Sequence, residues 1–433
     1  MKKDLTLLDL LLESTGADID SRTIEPGNLF FALPGSKTDG SRFASDALEK
    51  GARAVIVARD SGLEGDDYWL VEDVLQTMQQ LAGEYRRWLN VPVLAITGSN
   101  GKTTNKNLLA AALGTKYQVH ATAGNFNNHI GLPLTLLNAP KETEFLLLEM
   151  GTNHFGEIAT LCEIAQPNYG SILNIGKSHL EFLHSVEGVL KAKAELADYL
   201  NHHDGYLFLN LEEDSLGPLK SHPVQKIRFD RNHLPETDYV VEMEKFSGGI
   251  ELRLKSKNVD KTLTLKSSLW GGHNVQNLIH ALAVSSYFKT DLASVVEALA
   301  GYVPKNNRSQ ILTWKGHRVY LDAYNANPTS MRHSISFFRE EYPHQGVLIL
   351  GDMGELGAAT LEEHQSILEL IDALGFEQVW LVGEYFRMAA GKEYPHFNFC
   401  PEVEFVDERA IQKGDPILIK GSRSMELERL VGG

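Results

Sequence analysis

VPVLAITGSNGKTTNKNLLAAAL, residues 91–113, decides how this chain is read. Val93 to Thr97 is an apolar run of strand length, and from Lys102 onward alanine and leucine recur at helical spacing. Between them Thr97-Gly98-Ser99-Asn100-Gly101-Lys102-Thr103-Thr104 makes a glycine-bearing turn from strand to helix. In that setting loop amides and the helix N-terminus cradle a polyphosphate. Lys102 is placed to neutralise β/γ-phosphate charge, and the Thr103 hydroxyl to face Mg²⁺. The strict GxxxxGK[ST] pattern fails, because Ile96 stands where its first glycine would be, and GxxGK[ST] after a hydrophobic strand remains. A glycine turn that merely starts a helix beside a surface lysine is the bland alternative. Strand, turn chemistry and helix together weigh against it. The loop indicates a nucleotide but leaves the reaction open, since kinases, ATPases and ligases all use such loops.

Working outward, residues 1–90 alternate apolar runs with turns (NLFFALPG from Asn28, ARAVIVAR from Ala52) and end in the helix-spaced VLQTMQQLAGEYRRWL, a small α/β unit. Residues 91–304 continue the β/α alternation of a largely parallel sheet through EFLLLEMG, GEIATLCEIA, YGSILNIG and VLKAKAELADYL. Within them, residues 220–268 read as an antiparallel side-sheet. Residues 305–433 carry RVYLDAY, GVLILGDMGELG, QVWLVGE and PILIKGS as strands between helices, a Rossmann-like unit. The expected fold is thus α/β in three domains: a small N-terminal one, a central phosphate-loop ATPase domain and a C-terminal Rossmann-like one. A length of 433 residues agrees, at roughly 150 residues per domain.

The net charge of −16 disfavours nucleic acid and anionic membrane as partners. No run approaches the roughly 18 apolar residues that span a bilayer, and the first residues, broken by Asp4, Asp9 and Glu13, read as a helix and not a signal peptide. Cys162 and Cys400 form no metal-binding or disulfide pattern, which suits a reducing cytoplasm.

Glu149 closes the apolar run Phe145–Leu148, which puts a carboxylate at the C-terminal edge of a parallel strand, where it could hold Mg²⁺ or simply end the strand. His179 and, fourteen positions on, Lys193 lie in HLEFLHSVEGVLKAKAEL. Taken alone, the histidine is more often a packing residue than a ligand, and a helix lysine is nearly always a solvated charge.

Together these residues resemble the Mur ligase family over nearly the whole chain. The matching runs are DSRTIEPGNLFFALPGSKTDGSRFASDALEKGARAVIV, TGSNGKTT, GNFNNHIGLPLTLL, LLLEMGTNHFGEI, GGHNVQNLIHALA, LDAYNANPTSM, GDMGELG and KGSRSMELERL. The YNANP, GDMGELG and KGSRSM runs favour the branch that adds D-alanyl-D-alanine to a UDP-muramoyl tripeptide. The stretch HLEFLHS stands where the family commonly has HLEGFGS, and VPKNNRSQ replaces the usual context before the arginine.

The resemblance implies ATP and two Mg²⁺ ions as cofactors, UDP-MurNAc-tripeptide and D-alanyl-D-alanine as substrates, and a cytoplasmic monomer. It makes Lys102, Glu149, His179, Lys193 and Arg308 catalytic; Thr103, Glu149, His179 and a carbamylated Lys193 would hold metal. Asn274 and Asn277, three apart on one helix face, would touch the nucleotide with Arg308, Asp322, Tyr324 and Asn325 and the loop Thr97–Thr104. Ser21, Arg22, Lys37, Asp39 and Gly40 would meet the uridine diphosphate. Asn127, Asn128, Asn327, Lys420, Ser422 and Arg423 would face the peptide substrates. The implied reaction converts a carboxylate to an acyl phosphate, which an amine then attacks. The rival readings are another amide ligase of the superfamily (a third-residue or folylpolyglutamate-type ligase) and a phosphate-loop kinase or switch.

Overall fold

The computed structural model describes residues 5–35, 38–231, 239–240, 243–246, 249–256, 259–411 and 414–432. Near the N-terminus four short parallel strands pair in sequence order: Ala17–Asp18, Leu29–Phe31, Ala54–Ala58 and Tyr68–Val71. The N-terminal helix is brief, Leu7–Leu12, started by a capping box between Thr6 and Asp9.

The central sheet is parallel, in the order Tyr239–Val240, Gln225–Asp230, Tyr206–Asn210, Tyr169–Ile172, Val93–Thr97, Phe145–Glu149, Val119–Ala121. Its middle strands are largely apolar and buried because both faces are covered, as parallel sheets require, with polar residues such as Thr97 and Glu149 at their carboxyl ends. Val93, Ala95, Leu146 and Leu148 enter one core, while Leu94, Ile96, Phe145 and Leu147 enter another on the opposite face. The first core also takes in Leu10, Phe31, Met78 and Leu81, so the N-terminal and central units share it. Helix Val74–Leu89 locks the two together: Tyr85 Oη donates to Ala139 O at 2.7 Å, and Arg86 reaches Ala165 O and Asn168 Oδ1 at 3.1 and 2.9 Å.

The antiparallel side-sheet is smaller than the alternation over residues 220–268 suggests. Gln225–Asp230 and Tyr239–Val240 extend the central sheet in parallel, and only Met243–Phe246, Gly249–Ser256 and Val259–Ser267 pair antiparallel. Period-two alternation reports a half-exposed strand but not its direction.

The C-terminal sheet runs Gln310–Trp314, His317–Asp322, Ile417–Lys420, Val347–Gly351, Gln378–Val382, Asn398–Cys400, antiparallel only at its first pair. The C-terminal ends of its strands carry Asp322 and Lys420. Among the described residues no helix is long and apolar enough to cross a membrane.

Candidate active site

The phosphate loop leaves the central strand Val93–Thr97 between two neighbours, Tyr169–Ile172 and Phe145–Glu149, at the carboxyl ends where open α/β sheets collect ligands. It is held from behind. Ser99 N and Asn100 N donate to Asn174 O and Oδ1 at 3.0 and 2.9 Å, and Ser99 Oγ accepts from Gly176 N at 2.9 Å. Gly101, at φ 81°, adopts a left-handed turn, and a Cβ there would stand 3.1 Å from Asn277 Oδ1. The turn aims helix Lys102–Leu113 at a cavity of about 530 Å³. First-turn amides have no carbonyl behind them, so Lys102, Thr103 and Thr104 offer N–H groups there.

Lys102 Nζ donates to Gly98 O at 2.7 Å; burial and then Arg308 lower its pKa, against the pull of Glu149. Glu149 is buried, yet both its oxygens are used: Thr103 Oγ1 donates to Oε2 at 2.9 Å and Asn127 Nδ2 to Oε1 at 2.8 Å. Its strand-end position is therefore a built site, with hydroxyl and carboxylate side by side. Among the described residues no group of three or more His, Cys, Asp or Glu converges as a metal cage.

Lys193 departs most from the usual behaviour of a helix lysine. On helix Val186–His202 it points inward with 0% exposure, and its Nζ has no hydrogen-bond partner. Burial, then the charge of Lys102, pushes its pKa well below the ordinary lysine value. His179 stands at φ 53° and turns its ring to Glu355, with Nδ1 2.7 Å from Glu355 Oε2.

The C-terminal unit closes the cavity. Arg308 stacks on Tyr324 with its guanidinium carbon 3.5 Å from the ring centroid. Lys420 pairs with Asp322; burial raises the Asp322 pKa, but Lys420, His273 and the Ser309 amide outweigh it and hold it low. Asn325, Asn327, His273 and Glu355 also line the cavity. A second, more apolar cavity of about 370 Å³ meets the first at Asn100, Gly101, His273 and His333, between Leu173, Phe208, Phe229 and Phe337.

Comparisons of sequence and of structure with known proteins bear on this arrangement. Residues 13–111 match the model described as "Mur ligase family, catalytic domain", residues 96–285 the "Mur ligase middle domain", and residues 307–423 the "Mur ligase, glutamate ligase domain". The UDP-N-acetylmuramoyl-tripeptide--D-alanyl-D-alanine ligase of Bacillus subtilis is 35% identical, covering 96% of this chain and 92% of that protein. The chain belongs to the Mur ligase family. The Escherichia coli ligase of the same name is 32% identical, with 97% of this chain and 95% of that one covered. The crystal structure of MurF ligase from Thermotoga maritima in complex with ADP superposes with a TM-score of 0.84 at 28% identity, covering 98% of this chain and 97% of that one.

Not every residue carried over from the Mur ligase family meets the cavity. Lys102, Thr103, Thr104, Ser99, Asn100, Gly101, Glu149, His179, Arg308, Asp322, Tyr324, Asn325, Asn127, Asn128, Asn327 and Lys420 line it. Thr97 is buried beneath the loop, and Gly98 meets Lys102 through its carbonyl. Asn274 is fully buried, with Nδ2 on Trp270 O at 2.6 Å and Oδ1 accepting from Asn277 at 3.0 Å. Its amide supports the helix, and Asn277 alone of the two lines a cavity, the second one. Neither is a surface amide.

Ser422 and Arg423 lie outside the lining because that turn folds back on itself: Ser422 Oγ meets Ser424 Oγ at 3.1 Å and Arg423 pairs with Glu428. Ser21, Arg22, Asp39 and Gly40 line neither cavity. Arg22, 86% exposed, pairs with Asp20; Asp39 caps Ser41 N at 2.9 Å; Lys50 Nζ donates to Ser21 O at 2.8 Å. Lys37 lies outside the described residues.

Sequence reasoning missed Glu355, Asn174, Lys106 and His273. Lys106 is buried near Glu149 with Nζ on Thr122 O, while Thr122 Oγ1 accepts from Glu149 N at 2.9 Å. Its position, one helical turn after Lys102, was the available signal. Glu355 was visible only as a letter of GDMGELG.

Proposed function

We propose that this chain is an ATP-consuming ligase that joins D-alanyl-D-alanine to UDP-N-acetylmuramoyl tripeptide during peptidoglycan precursor synthesis. The near full-length likeness to ligases of that name carries the reading, and a cavity that gathers phosphate-loop, carboxylate and C-terminal cations supports it. We assign the N-terminal substrate unit to residues 1–90, the ATP unit to 91–304 and the closing unit to 305–433. We take the ligase to act as a cytoplasmic monomer on small molecules.

A carboxylate is a poor electrophile because its charge repels nucleophiles. Its oxygen attacks the γ-phosphorus of ATP, ADP leaves, and the mixed anhydride has lost that charge. The amine of D-alanyl-D-alanine then attacks the acyl carbon, inorganic phosphate departs, and the amine loses a proton. Lys102, the first-turn amides and Arg308 offset the negative charge that accumulates as carboxylate and phosphate approach. The stack on Tyr324 keeps the Arg308 fork aimed at the cavity. Asp322, held ionised by Lys420, suits the ribose hydroxyls, and the second cavity suits the base.

Mg²⁺, bound through Thr103 and Glu149 and at a second position through His179, would polarise the transferring phosphoryl group. Lys193 is assigned the carbamylated position: burial pushes its amine well below the ordinary lysine pKa, which favours the neutral form that adds to CO₂ with loss of a proton, and the product is a carboxylate-like ligand. Asn127, Asn128, Asn327 and Lys420 face the peptides, and Ser21, Arg22, Asp39 and Gly40 remain the assigned uridine diphosphate end.

Phosphate release from ATP with UDP-MurNAc-tripeptide, measured with and without D-alanyl-D-alanine, tests the reading. Release should require both substrates. Equal release without the dipeptide would remove this assignment, and phosphate retained on an organic product would point to a kinase.

A further inference from the structure

The C-terminal unit touches the ATP unit along a line of polar contacts. Asn327 Nδ2 donates to Asn100 Oδ1 at 2.8 Å, Lys177 N donates to Thr329 Oγ1 at 3.0 Å, and Lys177 Nζ pairs with Glu363. At one end the turn Glu355–Gly357 lies directly on the turn that begins at His179. Glu181 N donates to Glu355 O at 3.3 Å, and a Cβ on Gly357 would come within 3.0 Å of Glu181 Cα.

Both facing side chains leave positive-φ backbone, His179 at 53° and Glu355 at 60°. Residues other than glycine are uncommon there and persist where surroundings hold them. Here the two turns present one carboxylate to one imidazole: Glu355 Oε2 stands 2.7 Å from the buried His179 Nδ1, an ion-pair contact that lacks the alignment of a hydrogen bond in this arrangement, so that a small rotation of the ring or carboxylate would complete it. An imidazole has two nitrogens, and a partner on one selects the tautomer and leaves the other for a ligand. A carboxylate on the far nitrogen of a metal-binding histidine orients the ring and raises its basicity.

We infer that Glu355 is a positioning residue for His179: supplied by the C-terminal unit, it fixes the ring so that Nε2 can hold the second divalent cation, which makes tight binding of that ion depend on closure of the two units. This rests on His179 being a cation ligand, as proposed above. Closure then does more than cover the nucleotide, because an open enzyme lacks the group that orders its second ion site.

Mn²⁺ binding followed by electron paramagnetic resonance tests the role, using the full chain with a non-hydrolysable ATP analogue and UDP-MurNAc-tripeptide. The wild type should take up two Mn²⁺ ions. Glu355→Ala should weaken the second about 10- to 100-fold, Glu355→Gln less, and both should leave the first ion and the melting temperature as they were. His179→Ala should weaken the second ion further, and adding Glu355→Ala to it should change nothing more, because Glu355 acts through the ring. A second ion bound as tightly in His179→Ala as in the wild type removes His179 as a ligand and the inference with it. A weakened ion in His179→Ala but wild-type binding in both Glu355 variants overturns the inference alone. An additive loss in the double variant would make Glu355 a ligand in its own right and overturn the positioning role. Uptake of a single Mn²⁺ by the wild type overturns both.

Discussion

Asn327, in the C-terminal unit, donates through Nδ2 to Oδ1 of Asn100 in the phosphate loop at 2.8 Å, and its own Oδ1 accepts from Ser330 N at 2.9 Å. One amide therefore caps helix Pro328–Glu341 and ties that helix to the nucleotide loop. The two jobs separate by substitution. Asn327→Ala should lose about 1 kcal/mol of stability with the cap and raise the KM for ATP. Asn327→Ser, whose hydroxyl caps well but is too short to reach Asn100, should melt near the wild type and show the same rise in KM. Melting curves and ATP saturation kinetics check both, and equal KM values for Asn327→Ser and wild type would show that the contact does not matter.

Lys193 places a buried amine, its pKa pushed well below the ordinary lysine value by burial, where it has no hydrogen-bond partner. Lys193→Ala should lose most of its activity and recover part of it when short carboxylic acids are added, because they can occupy the space of a carbamate. Activity at the wild-type level in the variant would count against a carbamylated Lys193. Lys193→Met should be no less stable than the wild type, since an apolar group of similar length removes a buried polar atom.

Asp322 and Lys420 pair in the wall of the cavity, the lysine buried and the aspartate mostly so. Removing only the cation, in Lys420→Met, leaves a stranded carboxylate and should cost about 3–5 kcal/mol in denaturant unfolding. Adding Asp322→Asn should restore much of that loss. The Asp322 carboxyl is held below the ordinary aspartate value of 3.8, so the pair's contribution is complete above that pH and is lost as pH falls through the lower folded value.

His280 sits between Ser171 Oγ and Asn105 Oδ1, both at 2.8 Å, and burial pushes its pKa down from 6.5 to about 3. The unfolded chain therefore binds a proton that the folded chain refuses between these values, so stability rises with pH across that window and falls as pH drops below 6.5. His280→Gln should flatten the acid limb of the stability curve by about one proton. Denaturant midpoints from pH 3 to 7 measure it, and an unchanged slope would show that His280 is protonated in the fold.

The sequence was most informative where a local pattern carries its own geometry. Strand, glycine turn and helix at residues 91–113 are contiguous, so the phosphate site could be read before any fold was known. Apolar runs at Phe145–Leu148 and Val347–Leu350 likewise announce strands buried on both faces. The direction of Gln225–Asp230 was not legible, because alternation is the same for parallel and antiparallel pairing.

Side-chain fate was the harder matter. Lys193 reads as a solvated helix lysine until packing turns its face inward, and Asn274 is expected at the nucleotide until Trp270 O claims it. Arg423 reads as a substrate cation until Glu428 takes it. By itself the chain determined a nucleotide-binding α/β protein with its loop at Gly98 to Thr104, because those features depend on neighbours in sequence. Tertiary structure alone decided that Glu149 meets Thr103, that Lys420 meets Asp322 and that Glu355 meets His179. Those partners are separated by 46, 98 and 176 positions (355 − 179 for the last), and only the folded sheets and the closed C-terminal unit bring them together.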